Sequence, residues 1–297
     1  MRILLAPGQG SQSEGFLAPW LSEVPGFETH LVRLSSACDK DLIWLGTTAS
    51  EAEIKDTANA QPLIVAASIA AARSLPQLLE VDGVAGHSVG EFAAAAIAGV
   101  ISDEDAMRLV SIRANAMAEA ASLIETSMAA VLGGEQKEIE AACLALGLEV
   151  ANYNGAGQVV VAGDKAKIQE LVATPPEKTR VIELKVAGAF HTRYMESAVS
   201  KLAAEAETVI AQDPAIKLWS NVDGSLVTSG STFLASLVSQ VSNPVRWDRC
   251  METMDGLGAQ LIELPPAGAL SGLAKRGMPN SSAIALKIPS DVEKIGA

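Results

Sequence analysis

The chain has 297 residues, of which 49% are hydrophobic, 19% charged and only 4% aromatic. This excludes a disordered chain and predicts a core of Ala, Val, Leu and Ile, in one large α/β domain or two ordinary ones. Lys plus Arg number 22 against 35 Asp plus Glu, a net charge of −13, which argues against general binding of nucleic acid or anionic membrane and leaves any anionic ligand to a few local cations. The longest apolar stretches, Leu63–Ala72 and Phe92–Ile101, are too short to span a bilayer. The N-terminal apolar run breaks at Pro7, too early for the core of a signal peptide. Cys38, Cys143 and Cys250 are far apart and odd in number, as expected of reduced thiols in a cytoplasmic protein rather than of a disulfide framework or a metal site.

Ile3–Ala6 reads as a strand that runs into a polar glycine turn, Pro7-Gly8-Gln9-Gly10-Ser11-Gln12. Ala58–Leu79 reads as an Ala-rich helix with Pro62 in its first turn. A short strand, Gly83–Ala85, leads into Gly86-His87-Ser88-Val89-Gly90, and a helix follows to Gly99. Ser102, with Asp105 three residues on, resembles a capping box and opens a helix through about Ala120. From about Ser127 to Val186 the pattern changes. Strands are expected at Met128–Leu132, Leu148–Asn152, Val159–Ala162 and Arg180–Val186, and helices at Glu135–Leu146 and Asp164–Ala173. The order βαββαβ is that of a ferredoxin-like unit. Residues 125–187 are therefore expected to be a small inserted subdomain, with 1–124 and 188–297 forming the large α/β domain around a mostly parallel sheet. The remaining elements read as a helix at Tyr194–Ala211, a strand at Lys217–Ser220, a helix at Ser231–Val241 and a strand at Gln260–Leu264.

Gly86-His87-Ser88-Val89-Gly90 matches G-x-S-x-G in the context that motif needs, with a strand entering and a helix leaving, which makes the large domain α/β-hydrolase-like. Glycines two residues either side of Ser88 let the chain turn sharply and expose the hydroxyl at a helix N-terminus, where developing negative charge is favoured. A serine hydroxyl needs a base. Of three histidines, His30 lies in a polar N-terminal region and His87 adjoins the serine, where neighbouring side chains diverge. His191 follows the last strand of the inserted unit, where the chain returns to the large domain, and is the candidate base.

The segments Gly8-Gln9-Gly10-Ser11-Gln12, Gly86–Glu91 and Gly188-Ala189-Phe190-His191 resemble, in order and spacing, those of the malonyl-CoA:acyl carrier protein transacylases. Ser111-Ile112-Arg113, Gln240–Val245 and Pro265–Gly272 also fit, so that the resemblance covers essentially the whole chain and looks like a discrete enzyme. It implies ping-pong transfer of malonyl from malonyl-CoA, through a Ser88 ester, to the phosphopantetheine thiol of acyl carrier protein, with His191 as base and no cofactor or metal. The oxyanion would be held by the N–H groups of Gln9 and Val89. The second nitrogen of the histidine would be oriented by a main-chain carbonyl at the position of Gln240, in place of a triad acid, although Glu91 and Asp248 lie close in motif terms. A serine hydrolase and a non-catalytic carrier-binding module are the competing readings.

Arg113 shares a helix face with Leu109 and Met117, four residues to either side. It is expected to point inward and to need an anionic partner. That partner is either a structural Asp or Glu or, as the resemblance implies, the free carboxylate of the malonyl group, with Met117 and Phe190 alongside the acyl pocket. Asn152 and Asn154 match a loop in which Ala156 replaces a common Pro. Arg193, Arg246, Arg249, Lys275 and Arg276 are the candidate cations for an acidic carrier protein. A monomer is the simplest expectation.

Overall fold

A computed structural model describes residues 1–296. Two sheets carry the structure. The strands in chain order are β1 (Arg2–Ala6), β2 (Gly83–Gly86), β3 (Thr126–Gly133), β4 (Glu149–Gly155) and β5 (Gln158–Asp164). There follow β6 (Thr179–Glu183), β7 (Lys217–Trp219), β8 (Val245–Arg246), β9 (Gln260–Glu263) and β10 (Ser282–Ala285). The first sheet has the order β10-β9-β1-β2-β7 and is parallel at every pairing. Such a sheet must be buried on both faces, and Ile3 through Ala6 are indeed sealed.

Its cover is largely alanine. The Thr57–Ser74 and Gly90–Ile97 helices are buried on nearly every side, as a helix apolar all round must be. Small side chains let these helices pack closely in a chain with so few aromatic residues. Pro62 lies inside the Thr57–Ser74 helix rather than in its first turn. The helix stops at Ser74 because Pro76 drives Leu75 into an extended conformation. At Ser102 the box is half formed: the hydroxyl accepts from the Asp105 N–H and also bonds the Asp105 carboxylate. Asp is one methylene shorter than the usual Glu, and its carboxylate stops at the hydroxyl instead of reaching back to the Ser102 N–H.

The second sheet, β6-β3-β5-β4-β8, takes its first four strands from residues 126–183 in the antiparallel ferredoxin-like order. β8, from near the other end of the chain, adds to it in parallel beside β4. The units are thus stitched together by main-chain hydrogen bonds as well as by two connections. β8 and β10 escape the sequence reading because two and four residues show no usable period. The helix expected to reach Ala211 ends at Ala206, where Thr208, Val209 and Ile210 bring a β-branched run. Among the described residues no helix is long and apolar enough to cross a membrane.

Candidate active site

The carboxyl ends of β1, β2, β7 and β9 point toward one region, where ligands gather on parallel sheets. β2 ends at Gly86 and the Gly90–Ile97 helix begins four residues later. Ser88, between them, has φ +53°, a left-handed conformation that costs a non-glycine residue about 1–3 kcal/mol. The turn is held shut by two glycines. A Cβ on Gly86 would lie 2.2 Å from the Gly90 main chain, and one on Gly90 would lie 2.2 Å from the Ala6 carbonyl oxygen of β1. Gly90→Ala is therefore expected to cost about 1–3 kcal/mol or more by overpacking and to slow every reaction of Ser88. Urea unfolding checks this, and a loss below about 0.5 kcal/mol would show that the turn yields.

The Ser88 hydroxyl lies 2.6 Å from His191 Nε2. His191 is buried, with φ +62°, and its Nδ1 lies 2.8 Å from the main-chain oxygen of Gln240. That contact makes Nδ1 the protonated nitrogen and leaves Nε2 free to accept from the serine. Burial drives the imidazole down to about 3, and the positive Arg113 adds to the effect, so the ring is neutral and able to take a proton. Neither acid near the motifs reaches it: Asp248 pairs with Arg246, and Glu91 accepts from the Asn221 N–H and from Gln240 Nε2.

Arg113 is 1% exposed. Its terminal nitrogens donate to two neutral amide oxygens, of Gln61 at 2.5 Å and Gln240 at 3.0 Å. Its Nε is buried without a partner, and its carbon sits 5.8 Å from the Phe92 ring centre. Burial lowers its pKa to about 10, with Glu91 opposing. The structure thus brings Ser88, His191, Gln240 and Arg113 into one connected set.

A cavity of about 420 Å³ opens between the two sheets. Gly8, Gln9, Ser88 and His191 line one side, and Met128 and Val160 from the second sheet line the other, with Phe190 at the wall. Among the described residues the N–H groups of Gln9 and Val89 have no protein acceptor. Met117 does not line this cavity; it packs below, 3.7 Å from Gln61 Nε2. Arg113 also lies beneath the lining. His87 Nε2 meets Asn154 Oδ1 at 2.9 Å and ties the elbow to β4, and His30 stands apart on the Phe27–Cys38 helix. A larger space of about 660 Å³ between residues 121–127 and 183–187 is lined by no histidine; its Ser127 hydroxyl donates to Glu183 at 2.8 Å, and its Lys165 is paired with Glu125.

Three residues were not anticipated. Asn221 accepts from the Ser88 N–H and donates to the Gly86 carbonyl, both at 2.8 Å. Gln61 holds Arg113 from an otherwise apolar stretch of helix. Glu263 is wholly buried and accepts the N–H groups of Gly268, Leu270 and Ser271 at 2.8, 2.9 and 2.8 Å, fixing the helix Ala269–Gly277 at the cavity rim. Their signals were a polar residue just past a strand end and single polar residues inside apolar runs.

Residues 4–289 match the acyl transferase domain family. The chain is 48% identical over 300 residues to the malonyl CoA-acyl carrier protein transacylase of Mycobacterium tuberculosis, covering 99% of each. The crystal structure of MCAT from that organism superposes with a TM-score of 0.95 over 100% of this chain and 99% of the other. A malonyl-transacylase solved in complex with its type II PKS acyl-carrier protein gives 0.91 at 31% identity, covering 99% and 98%. With a strained serine turn between strand and helix, a carbonyl-oriented histidine and an arginine buried among neutral amides, and with this likeness along its whole length, the chain belongs to the malonyl-CoA:acyl carrier protein transacylase family of acyl transferases.

Proposed function

We propose that the protein transfers malonyl from malonyl-CoA to the phosphopantetheine thiol of acyl carrier protein, supplying malonyl units for fatty-acid or related synthesis. The observation that carries this reading is the 2.6 Å contact of Ser88 with His191 beside a buried arginine that contacts no carboxylate among the described residues. Ser88 Oγ attacks the thioester carbonyl as its proton passes to His191 Nε2. The oxyanion lies against the free N–H groups of Gln9 and Val89, and collapse expels CoA thiolate, which takes the proton back. The carrier thiol, deprotonated by His191, then attacks the ester, and Ser88 leaves with the proton.

Arg113 is assigned the malonyl carboxylate. A short local rearrangement brings its guanidinium from the two amide oxygens to the substrate, because charge-assisted bidentate bonds outweigh neutral ones. Binding also cancels the charge that depresses His191, so the right substrate strengthens the base. Phe190 limits the volume beside the acyl carbon. Met117, with no face on the cavity, is assigned to packing beneath Arg113. The cavity lies where residues 125–187, which we propose to be an inserted unit, meet the rest of the chain. Intact-mass analysis after brief exposure to malonyl-CoA tests the whole reading: one malonyl per chain is expected, and its absence would sink the ester mechanism.

Of the five candidate docking cations, Arg193, Arg246 and Arg249 are paired with Glu149, Asp248 and Glu252. Lys275 and Arg276 are exposed at the end of the Ala269–Gly277 helix, and Arg276 borders the cavity, reaching toward Gln158 at 3.4 Å. Helix C-termini already favour cations, yet no carboxylate of the chain takes these two among the described residues, and they are assigned to the carrier protein. Lys275→Glu is expected to raise the carrier KM by about tenfold, as losing or reversing one steering charge does, and to leave the malonyl-CoA KM alone. Arg276→Glu, at the rim, is expected to raise both. Steady-state kinetics with each substrate varied separates them, and unchanged carrier kinetics in both variants would remove this surface.

A further inference from the structure

Glu91 stands one residue past Gly90, in the first turn of the helix that follows the nucleophile, and is 1% exposed. One carboxylate oxygen accepts the Asn221 N–H at 2.7 Å, and the other accepts Gln240 Nε2. Asn221 in turn closes two hydrogen bonds on the serine turn, from the Ser88 N–H and to the Gly86 carbonyl. Gln240 offers its main-chain oxygen to His191 Nδ1, and its side-chain nitrogen also approaches the Ser88 carbonyl at 3.3 Å. The nucleophile and its base come from segments about a hundred residues apart, and both are tied to this one carboxylate.

Glu91, Asn221 and Gln240 border a different cavity, of about 530 Å³, together with Tyr153, Asn243 and Arg246. None of the three lines the cavity that holds Ser88 and His191. The Glu91 carboxylate therefore stands behind the reacting groups and away from the substrate.

We propose that Glu91 is a positioning residue of the transfer reaction: through Asn221 it fixes the turn that carries Ser88, through Gln240 it fixes the carbonyl that orients His191, and so it sets the distance between nucleophile and base. This rests on the reading of Ser88 as nucleophile and His191 as base. The carboxyl group is suited to the task because each of its two oxygens accepts one of two converging N–H donors, which favour the ionised form against the burial that pushes its pKa up to about 8. An amide in the same place accepts only one and turns a donor against the other. An aspartate is one methylene too short to hold both. The misalignment either change produces acts on the bond-forming step, because a displacement near 1 Å is enough to cost about a hundredfold.

The test uses a neutral fluorophosphonate, which phosphonylates serine with loss of fluoride while the histidine takes the hydroxyl proton. It needs neither Arg113 nor the carrier protein. The wild type is expected to label at Ser88; failure to label would overturn the dyad reading and this proposal with it. Glu91→Gln and Glu91→Asp, normalised to folded protein by circular dichroism, are expected to label roughly tenfold or more slowly. Malonyl transfer is expected to lose kcat to a similar extent at an unchanged malonyl-CoA KM. Labelling of both folded variants at the wild-type rate, with wild-type Ser88 reactive, would show that Glu91 merely satisfies buried donors and would overturn the proposal alone.

The exchange Glu91→Gln with Gln240→Glu restores a matched donor and acceptor between the two positions and leaves the Gln240 main-chain carbonyl in place. It is expected to recover labelling to within roughly threefold, while malonyl loading stays low because a carboxylate now faces Arg113. Should the single variants fail to fold, the exchange decides: a folded exchange protein that labels about a hundredfold slowly overturns the proposal.

Discussion

Ser88→Ala is expected to leave no covalent malonyl on the protein after incubation with malonyl-CoA, at any exposure time, while its melting temperature stays near that of the wild type. The fold does not depend on the hydroxyl. The left-handed backbone at Ser88 is held by the Asn221 hydrogen bonds and by the absence of Cβ atoms at Gly86 and Gly90, and alanine suffers there no more than serine. Among the described residues the hydroxyl has one partner, His191 Nε2, and that nitrogen borders a cavity that can admit water. On the proposed mechanism His191→Ala keeps the nucleophile but removes its base, and is expected to slow ester formation by about 10²–10⁴-fold.

The same geometry fixes the pH dependence. With burial and Arg113 holding the imidazole near 3, ester formation in the wild type should be flat through the neutral range and fall only well into acid. A histidine backed by a carboxylate would lose its basic form at much higher pH. Intact mass reads the adduct, and rapid quench reads the pH profile. Malonyl carried by Ser88→Ala would place the nucleophile elsewhere, and an acid limb near 6.5 would mean that a negative charge offsets the burial of His191.

Much of this site was legible because its chemistry sits on short motifs. The elbow declares itself through glycines whose spacing has a steric cause, seen in the 2.2 Å approaches of Gly86 and Gly90. The scarcity of histidine left little choice of base. The ferredoxin-like strand order followed from alternating elements of ordinary length. What stayed hidden depends on three-dimensional convergence. Asn221 is one of several polar residues in the turn after a three-residue strand, and only the parallel pairing of β2 with β7 brings it beside the elbow. Gln61 sits in an alanine helix that carries no catalytic signature. Gln240 was identified for its carbonyl alone, yet its side chain stands between Arg113 and Glu91, which no spacing rule reveals. The spacing around Arg113 predicts an inward arginine with either a structural acid or a substrate carboxylate as its partner. It does point inward, but its partners are amides.

That difference sharpens the last prediction. Arg113→Ala is expected to lose malonyl loading while keeping, or gaining, acetyl loading from acetyl-CoA. If the guanidinium receives the malonyl carboxylate in this desolvated place, truncation strands that carboxylate at a cost of about 2–5 kcal/mol, roughly 30- to several-thousand-fold in specificity. An acetyl group has nothing to strand. Removing the positive charge also lifts one of the influences that depress His191, so the base strengthens and neutral acyl groups should load faster. Stability cannot discriminate here. Gln61 and Gln240 each lose a buried donor in the variant, at about 1–3 kcal/mol for each acceptor left unpaired, and the melting temperature falls under either reading. The deciding quantity is the ratio of malonyl to acetyl loading on the same folded protein. A carboxylate clamp drops the ratio by roughly 30-fold or more; an arginine that only braces Gln61 and Gln240 lowers both rates together and leaves the ratio unchanged. Parallel loss would return the malonyl preference to the shape of the cavity at Phe190.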